Sequence, residues 1–261
     1  MPRFSANLSF LYPDLPFLDR FAAAAADGFA AVEYISPYEH PKETIAALLR
    51  EHGLTQALFN FPAGNWAAGD RGLACHPARI AEFRASVTRA LDYAQALGCT
   101  RLNCLAGIAA PDIDHLRLEK TLIDNLAYAS ERCTAAGVKL LIEPINKRDM
   151  PGYFISTTNH AERLFELAGL PNLHLQCDFY HLQIMQGDLV HTFARLKHHI
   201  AHIQIADTPG RHEPGTGEIN YRFLLSELDR LGYDGWVGCE YHPSSGKGAD
   251  IGWMAEGVAR R

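Results

Sequence analysis

The chain has little of what a disulfide scaffold, a nucleic-acid binder or a membrane protein needs. Its six cysteines, Cys75, Cys99, Cys104, Cys133, Cys177 and Cys239, include no C-x-x-C pair, which excludes a zinc ribbon and a thioredoxin-like motif and leaves reduced, buried thiols as the expectation. No Lys/Arg block occurs, and the net charge is −6 with a pI of about 6.1. An acidic chain of this kind is poorly suited to neutralising phosphates, so no nucleic-acid partner is expected. No run approaches the ~18 uncharged apolar residues of a membrane span. The start Met1-Pro2-Arg3-Phe4-Ser5-Ala6-Asn7 lacks the apolar core of a secretion signal. No membrane partner is therefore expected, and the cytoplasm is the default location. Linkers and low-complexity tracts are missing too, which argues against a second domain.

What is present is an alternation of short apolar runs and longer helix-like stretches. The runs are 3–8, 31–35, 55–61, 101–106, 139–145, 174–180, 202–207 and 236–241. Between them, 17–27, 41–52, 78–97, 116–136, 160–168, 189–199 and 221–231 place apolar residues at three- and four-residue spacing, as amphipathic helices do. Gly28, Gly53, Gly98, Gly137, Gly169 and Gly232 follow six of these stretches, where a left-handed C-cap favours glycine. Repeated strand, helix and strand implies a parallel sheet. Eight such units in 261 residues close most simply into a (β/α)8 TIM barrel, one catalytic domain over 1–261.

Four of the later runs each deliver an oxygen-bearing side chain: Glu143, Asp178, Gln204 and Glu240, spaced by 35, 26 and 36 residues. Such spacing fits successive parallel strands, whose carboxyl ends collect function in a barrel. Three buried carboxylates need a cation, a proton or a wet cleft to offset their desolvation. The all-oxygen set favours Mg²⁺ or Mn²⁺ over zinc. Asp207 competes with Gln204; period-two alternation puts them on opposite faces, and Gln204 is preferred because Asp207 can cap the following loop. His181 and Arg211 are candidate substrate-binding groups, Arg211 for a carboxylate. Glu33 is a further inward carboxylate, read as the partner of a buried cation or as a catalytic group. The glycine-rich loop 60–72, carrying Trp66, suits a cover over a site, whereas Gly215-Thr216-Gly217 reads as turn chemistry.

Longer motifs carry a family resemblance over nearly the whole chain: Arg3-Phe4-Ser5-Ala6-Asn7-Leu8-Ser9, Pro62-Ala63-Gly64-Asn65-Trp66-Ala67-Ala68-Gly69, Leu141-Ile142-Glu143-Pro144-Ile145-Asn146, His202-Ile203-Gln204-Ile205-Ala206-Asp207, the run 213–221, and Gly235-Trp236-Val237-Gly238-Cys239-Glu240-Tyr241. Through these the chain resembles the hydroxypyruvate isomerase family of the xylose-isomerase-like barrels. The resemblance implies interconversion of hydroxypyruvate and 2-hydroxy-3-oxopropanoate (tartronate semialdehyde), with Glu143 and Glu240 as the acid/base pair. In the related ketose 3-epimerases the position matching Gln204 is a histidine ligand.

The chemistry agrees, since moving a carbonyl to the neighbouring carbon requires a proton taken from one carbon and returned at the other. A small hydroxy or oxo acid is the expected partner, and a homo-oligomer is compatible with the sequence. 2-Oxo-tetronate isomerase and then ketose 3-epimerase are the nearest alternatives. A non-catalytic sugar-acid binder is disfavoured because binding an anion gains nothing from extra carboxylates. Metal-dependent endonuclease activity conflicts with the charge balance.

Overall fold

Each apolar run pairs with the next in a parallel ladder. Among the described residues, strands β1 (Arg3–Asn7), β2 (Ala31–Tyr34), β3 (Thr55–Asn60), β4 (Arg101–Asn103), β5 (Lys139–Ile142), β6 (Leu173–Asp178), β7 (Ile200–Ile205) and β8 (Trp236–Cys239) follow in sequence order around a closed barrel. Its closing ladder sets Ser5 against Gly238 and Ala6 against Cys239. The structure is a computed structural model and describes residues 2–255; Met1 and residues 256–261, the ends of the expected 1–261 domain, lie outside the described residues.

Helices α1 (Arg20–Ala26), α2 (Lys42–Glu51), α3 (Ile80–Leu97), α4 (His115–Ala135), α5 (Thr158–Ala168), α6 (Phe179–Met185), α7 (Leu189–Leu196) and α8 (Tyr221–Arg230) fill the connections, and a short α9 (Gly252–Ala255) follows β8. Side-chain caps start several of them: Asp114, Thr157 and Asn220 accept from the backbone N–H three residues on. The six glycines expected to stop helices all have positive φ. α6 departs from the sequence reading, which ran the sixth strand on to Tyr180. Asp178 ends that strand itself, because its Oδ1 accepts from Tyr180 N at 2.8 Å and caps the helix that follows. The fifth strand stops at Ile142 rather than Ile145, since Pro144 has no N–H for the ladder.

Outward-pointing strand residues such as Val32, Leu175, Ile203 and Val237 pack with helix residues in one continuous apolar core. Each fully buried side chain of this kind contributes about 1.5–3 kcal/mol. Inside the barrel the apolar content is small. Leu58, Leu141 and Ala201 form a separate plug. Polar side chains also face inward, and two register irregularities fall beside them, between Val32 and Glu33 and between Leu175 and Gln176. Such irregularities re-aim the residue that follows.

The loop after β7 is held by Asp207, which is buried and accepts backbone N–H bonds from Thr208, Gly215, Gly217 and Ile219 at 2.9–3.0 Å. A Cβ at Gly217 would lie 2.1 Å from the Thr208 carbonyl oxygen and 2.6 Å from Asp207 Oδ1, so only glycine fits. The Gly-Thr-Gly turn thus cradles a carboxylate of its own chain. Asp207 takes the loop-capping role and leaves the barrel interior to Gln204. The same loop carries Arg211 at φ +55°, a left-handed conformation that the surrounding bonds must hold in place.

Asp207→Ala strands four backbone N–H groups at once, two of them buried, and is expected to lower the unfolding free energy by about 3 kcal/mol in urea titrations. A loss below about 0.5 kcal/mol, the range of ordinary surface changes, would show that the loop holds itself without it.

Candidate active site

The carboxyl ends of the strands open into a cleft. Glu143, His181, Gln204, Arg211 and Glu240 line it, and Asp178 lies just beneath, its side chain fully buried. All six residues singled out from sequence therefore meet at one place. Glu143 and Glu240 stand one residue beyond β5 and β8, Asp178 ends β6, Gln204 is the penultimate residue of β7, and His181 sits in the first turn of α6.

Two clusters share the cleft. In the first, His181 Nε2 lies 3.4 Å from Asp178 Oδ2 and 3.9 Å from Glu143 Oε1, while His181 Nδ1 meets Asn146 Nδ2 at 2.7 Å. Glu143 Oε2 accepts from Asn103 Nδ2 at 2.9 Å. Glu143, Asp178 and His181 can each offer a ligand atom within 4.8 Å of the others. Asp178 Oδ2 is buried and has no hydrogen-bond partner among the described residues. An orphaned carboxylate oxygen beside a second carboxylate and an imidazole fits a divalent cation.

In the second cluster Glu240 Oε1 accepts from Arg211 Nη2 at 2.5 Å, and Oε2 accepts from Asn7 Nδ2 at 2.9 Å and from Gln204 Nε2. The Gln204 oxygen accepts from Gln176 Nε2 at 2.5 Å. The sequence expectation gave that oxygen to a metal; here it is turned to Gln176, and the N–H edge faces Glu240. The Arg211 guanidinium lies between the rings of Phe10 and Tyr180, 4.7 and 4.9 Å from their centres, and approaches Asp178 Oδ2 at 3.9 Å and Asp149 Oδ2 at 3.5 Å. Its Nε is buried without a partner among the described residues.

Burial dominates the electrostatics. It pushes the Glu143 carboxyl up to about 8, helped by the neighbouring Asp178 charge, and the Asp178 carboxyl up to about 6 against the pull of Arg211. Glu240 is raised well above the ordinary carboxylate range, by burial first and by Glu143 and Asp178 after it, with Arg211 opposing. His181 is held well below its ordinary value by burial and by Arg211, so it is neutral at pH 7 and free to act as a ligand or acceptor. Three carboxyls beside one guanidinium thus resist ionising, and Glu143 is the one pushed up to about 8.

The loop 60–72 reaches this cleft through Trp66, which is 44% exposed and lines its wall. Arg71 stacks 3.9 Å over the indole, Asn65 caps the 3-10 turn Trp66–Ala68, and Asp70 makes a two-pronged pair with Arg79 at 2.7 and 2.8 Å. The expected cover is a cross-braced loop with one aromatic presented to the site.

The profile described as xylose isomerase-like TIM barrel matches residues 21–258. The chain belongs to that family. It is 50% identical over 260 residues, all of both chains, to a 2-oxo-tetronate isomerase of Cupriavidus necator. It is 45% identical over 254 residues, 97% of this chain and 98% of the other, to a hydroxypyruvate isomerase of Escherichia coli strain K12. Among solved structures, one described as AP endonuclease, family 2, from Brucella melitensis superimposes with a TM-score of 0.95 at 45% identity, covering 98% of each chain. A 3-keto-D-glucoside 4-epimerase from E. coli shares the fold, with a TM-score of 0.81 at 20% identity over 98% and 99% of the two chains.

Several site residues escaped the sequence reading. Asn7, Asn103 and Gln176 supply amides that orient the glutamates, and His202 pairs with Glu33 through Nε2 and Oε2 at 2.8 Å. Their signal was the one that picked out Gln204, a polar residue on the inward face of an apolar strand. Glu33, expected to be a partner of a buried cation or a catalytic group, meets the buried imidazole of His202.

The raised carboxyls carry a pH signature. A carboxyl whose folded pKa lies above its unfolded value stabilises the fold below the unfolded value and loses that contribution as pH rises through the folded one. In chelator-treated protein the Glu143 contribution should therefore fade between its ordinary 4.5 and about 8. The Tm of Glu143→Gln relative to wild type should rise across that window. A Tm difference that does not change with pH would show that Glu143 ionises freely in the fold.

Proposed function

We propose that this isomerase interconverts hydroxypyruvate and 2-hydroxy-3-oxopropanoate through an enediol, with Glu143 and Glu240 exchanging the carbon-bound proton. The observation that carries the reading is the placement of two buried glutamates with raised pKa values in one cleft beside a guanidinium. General acid and base work best when the pKa lies near the working pH. In the forward direction one glutamate takes a proton from C3 and the other returns one to C2, while the hydroxyl proton passes from O3 to O2. In reverse the glutamates exchange roles. Amide donors from Asn103, Asn7 and Gln204 hold the carboxyls in place for both steps.

Arg211 is the group for the substrate carboxylate. Its free Nε and flanking aromatic faces leave a planar, preorganised donor edge. Glu143, Asp178 and Glu240, with His181 as a nitrogen donor, are the residues that would hold a divalent cation, Mg²⁺ or Mn²⁺. When bound, such an ion would spread the negative charge that develops on the substrate oxygens. Gln204 is read as a donor to Glu240. A second reading, isomerisation of a 2-oxo-tetronate, draws support from the 50% identical full-length relative of that name. The same proton chemistry serves both acids, which differ by one hydroxymethylene unit.

A panel of hydroxypyruvate, 2-oxo-tetronates and neutral ketoses, with and without chelator, tests these assignments. Glu143→Gln and Glu240→Gln should each lower kcat by about 10²-fold or more in folded protein, and wild-type-like turnover in either would remove it from the proton path. Arg211→Lys should raise KM for the acids more than it lowers kcat, with little effect on a neutral ketose; equal sensitivity would make Arg211 a loop-organising residue. Chelation should lower activity, and Mg²⁺ or Mn²⁺ should restore it. Full activity in protein shown by elemental analysis to be metal-free would remove the cation.

A further inference from the structure

We infer that Glu33 is a positioning residue that decides which edge of the Asn7 and Gln204 amides faces Glu240. The inference rests on the reading of Glu240 as one of the proton-transferring pair. Glu33 has no exposed surface. Its Oε2 meets Ser5 Oγ at 2.5 Å and His202 Nε2 at 2.8 Å, and its Oε1 meets Gln204 Nε2 at 2.8 Å and Asn7 Nδ2 at 3.3 Å. A carboxylate can only accept, so the end of each amide that touches Glu33 has to be its NH₂.

The same two nitrogens then reach Glu240 Oε2. Glu33 thereby aims both amides at Glu240 as donors, and Gln176 locks Gln204 from the other end by donating to its oxygen. Were either amide turned over, an oxygen would face Glu240 Oε2 and repel its carboxylate form. Two features of the backbone serve this position. The register irregularity between Val32 and Glu33 falls where the side chain turns into the barrel. Gly238 on the neighbouring wall leaves room for it, because a Cβ there would lie 2.2 Å from Glu33 Oε1.

An ion pair kept only for stability would show a different pattern of response, which variants can separate. Glu33→Gln, Gln204→Leu, the double variant and Gly238→Ala are assayed on hydroxypyruvate and a 2-oxo-tetronate after thermal melts establish folding. Glu33→Gln should lower kcat by about tenfold or more with KM changed by less than about threefold. Adding it to Gln204→Leu should cost less than about threefold further, because part of its effect runs through that amide. Gly238→Ala, which displaces the carboxylate without removing it, should show the same kcat loss.

Wild-type kcat in folded Glu33→Gln, or losses that simply multiply in the double variant, would overturn the inference. If Glu33→Gln does not fold, wild-type kcat in Gly238→Ala overturns it instead. A readout independent of turnover comes from the side-chain amide protons of Asn7 and Gln204. In wild type these should be shifted by two carboxylates and slow to exchange, and in Glu33→Gln or Gly238→Ala they should move and exchange faster; unchanged resonances overturn the positioning role. A wild-type chain inactive on both acids, with these resonances responding as expected, would instead overturn the functional reading and uphold the positioning one.

Discussion

Burying four carboxyl groups at one end of a closed barrel is the constraint that shapes the rest of the site. Glu33, Glu143, Asp178 and Glu240 are all buried, and an unpaired charge in such a place is costly. Each is met differently. Glu33 has an imidazole, a hydroxyl and two amides; Glu240 has a guanidinium and the same two amides; Glu143 is pushed up to about 8 by burial; and Asp178 is left with one bare oxygen. These differences separate the tasks. Glu33, held low by its partners, is a fixed point; Glu143 and Glu240, raised by burial, suit acid and base work; and Asp178, with an orphaned oxygen, awaits a partner.

The polar barrel interior follows from the same constraint. Carboxyls cannot sit above an apolar plug unless donors reach them from below, and Ser5, Asn7, Asn103, Gln176, His202 and Gln204 form that layer on the inward faces of four strands. Leu58, Leu141 and Ala201 occupy what is left. Stability comes instead from the core between strands and helices, where every strand contributes its outward face. The fold thus keeps its apolar energy outside the barrel and uses the inside for chemistry.

Much of this was legible in the sequence, for a physical reason. Glu143, Asp178 and Glu240 stood out because a carboxylate at the end of an apolar run has no ordinary explanation, and the spacing of strand and helix gave them a common end of the barrel. Gln204 was separated from Asp207 by the two-residue period of a strand. Less visible were features that depend on contacts between strands. An irregularity at Glu33 leaves no mark on its own segment, an amide at the end of a strand looks like a turn residue, and a carboxylate that both ends a strand and caps a helix hides α6 inside what reads as strand. His181 was noticed for its distance from Asp178 along the chain; its place one helical turn on, facing the same cleft, needed the fold.

The central claim is that one glutamate takes the carbon-bound hydrogen as a proton and the other returns a proton at the neighbouring carbon. It is tested most directly by running the isomerisation of hydroxypyruvate in D₂O and locating the label in product collected at low conversion. A proton returned by a second, solvent-exchangeable carboxyl should place deuterium at C2 of the 2-hydroxy-3-oxopropanoate formed. Product carrying no solvent deuterium at C2 would mean that the same hydrogen is carried over, by a single shielded base or as a hydride, and it would contradict a two-glutamate account.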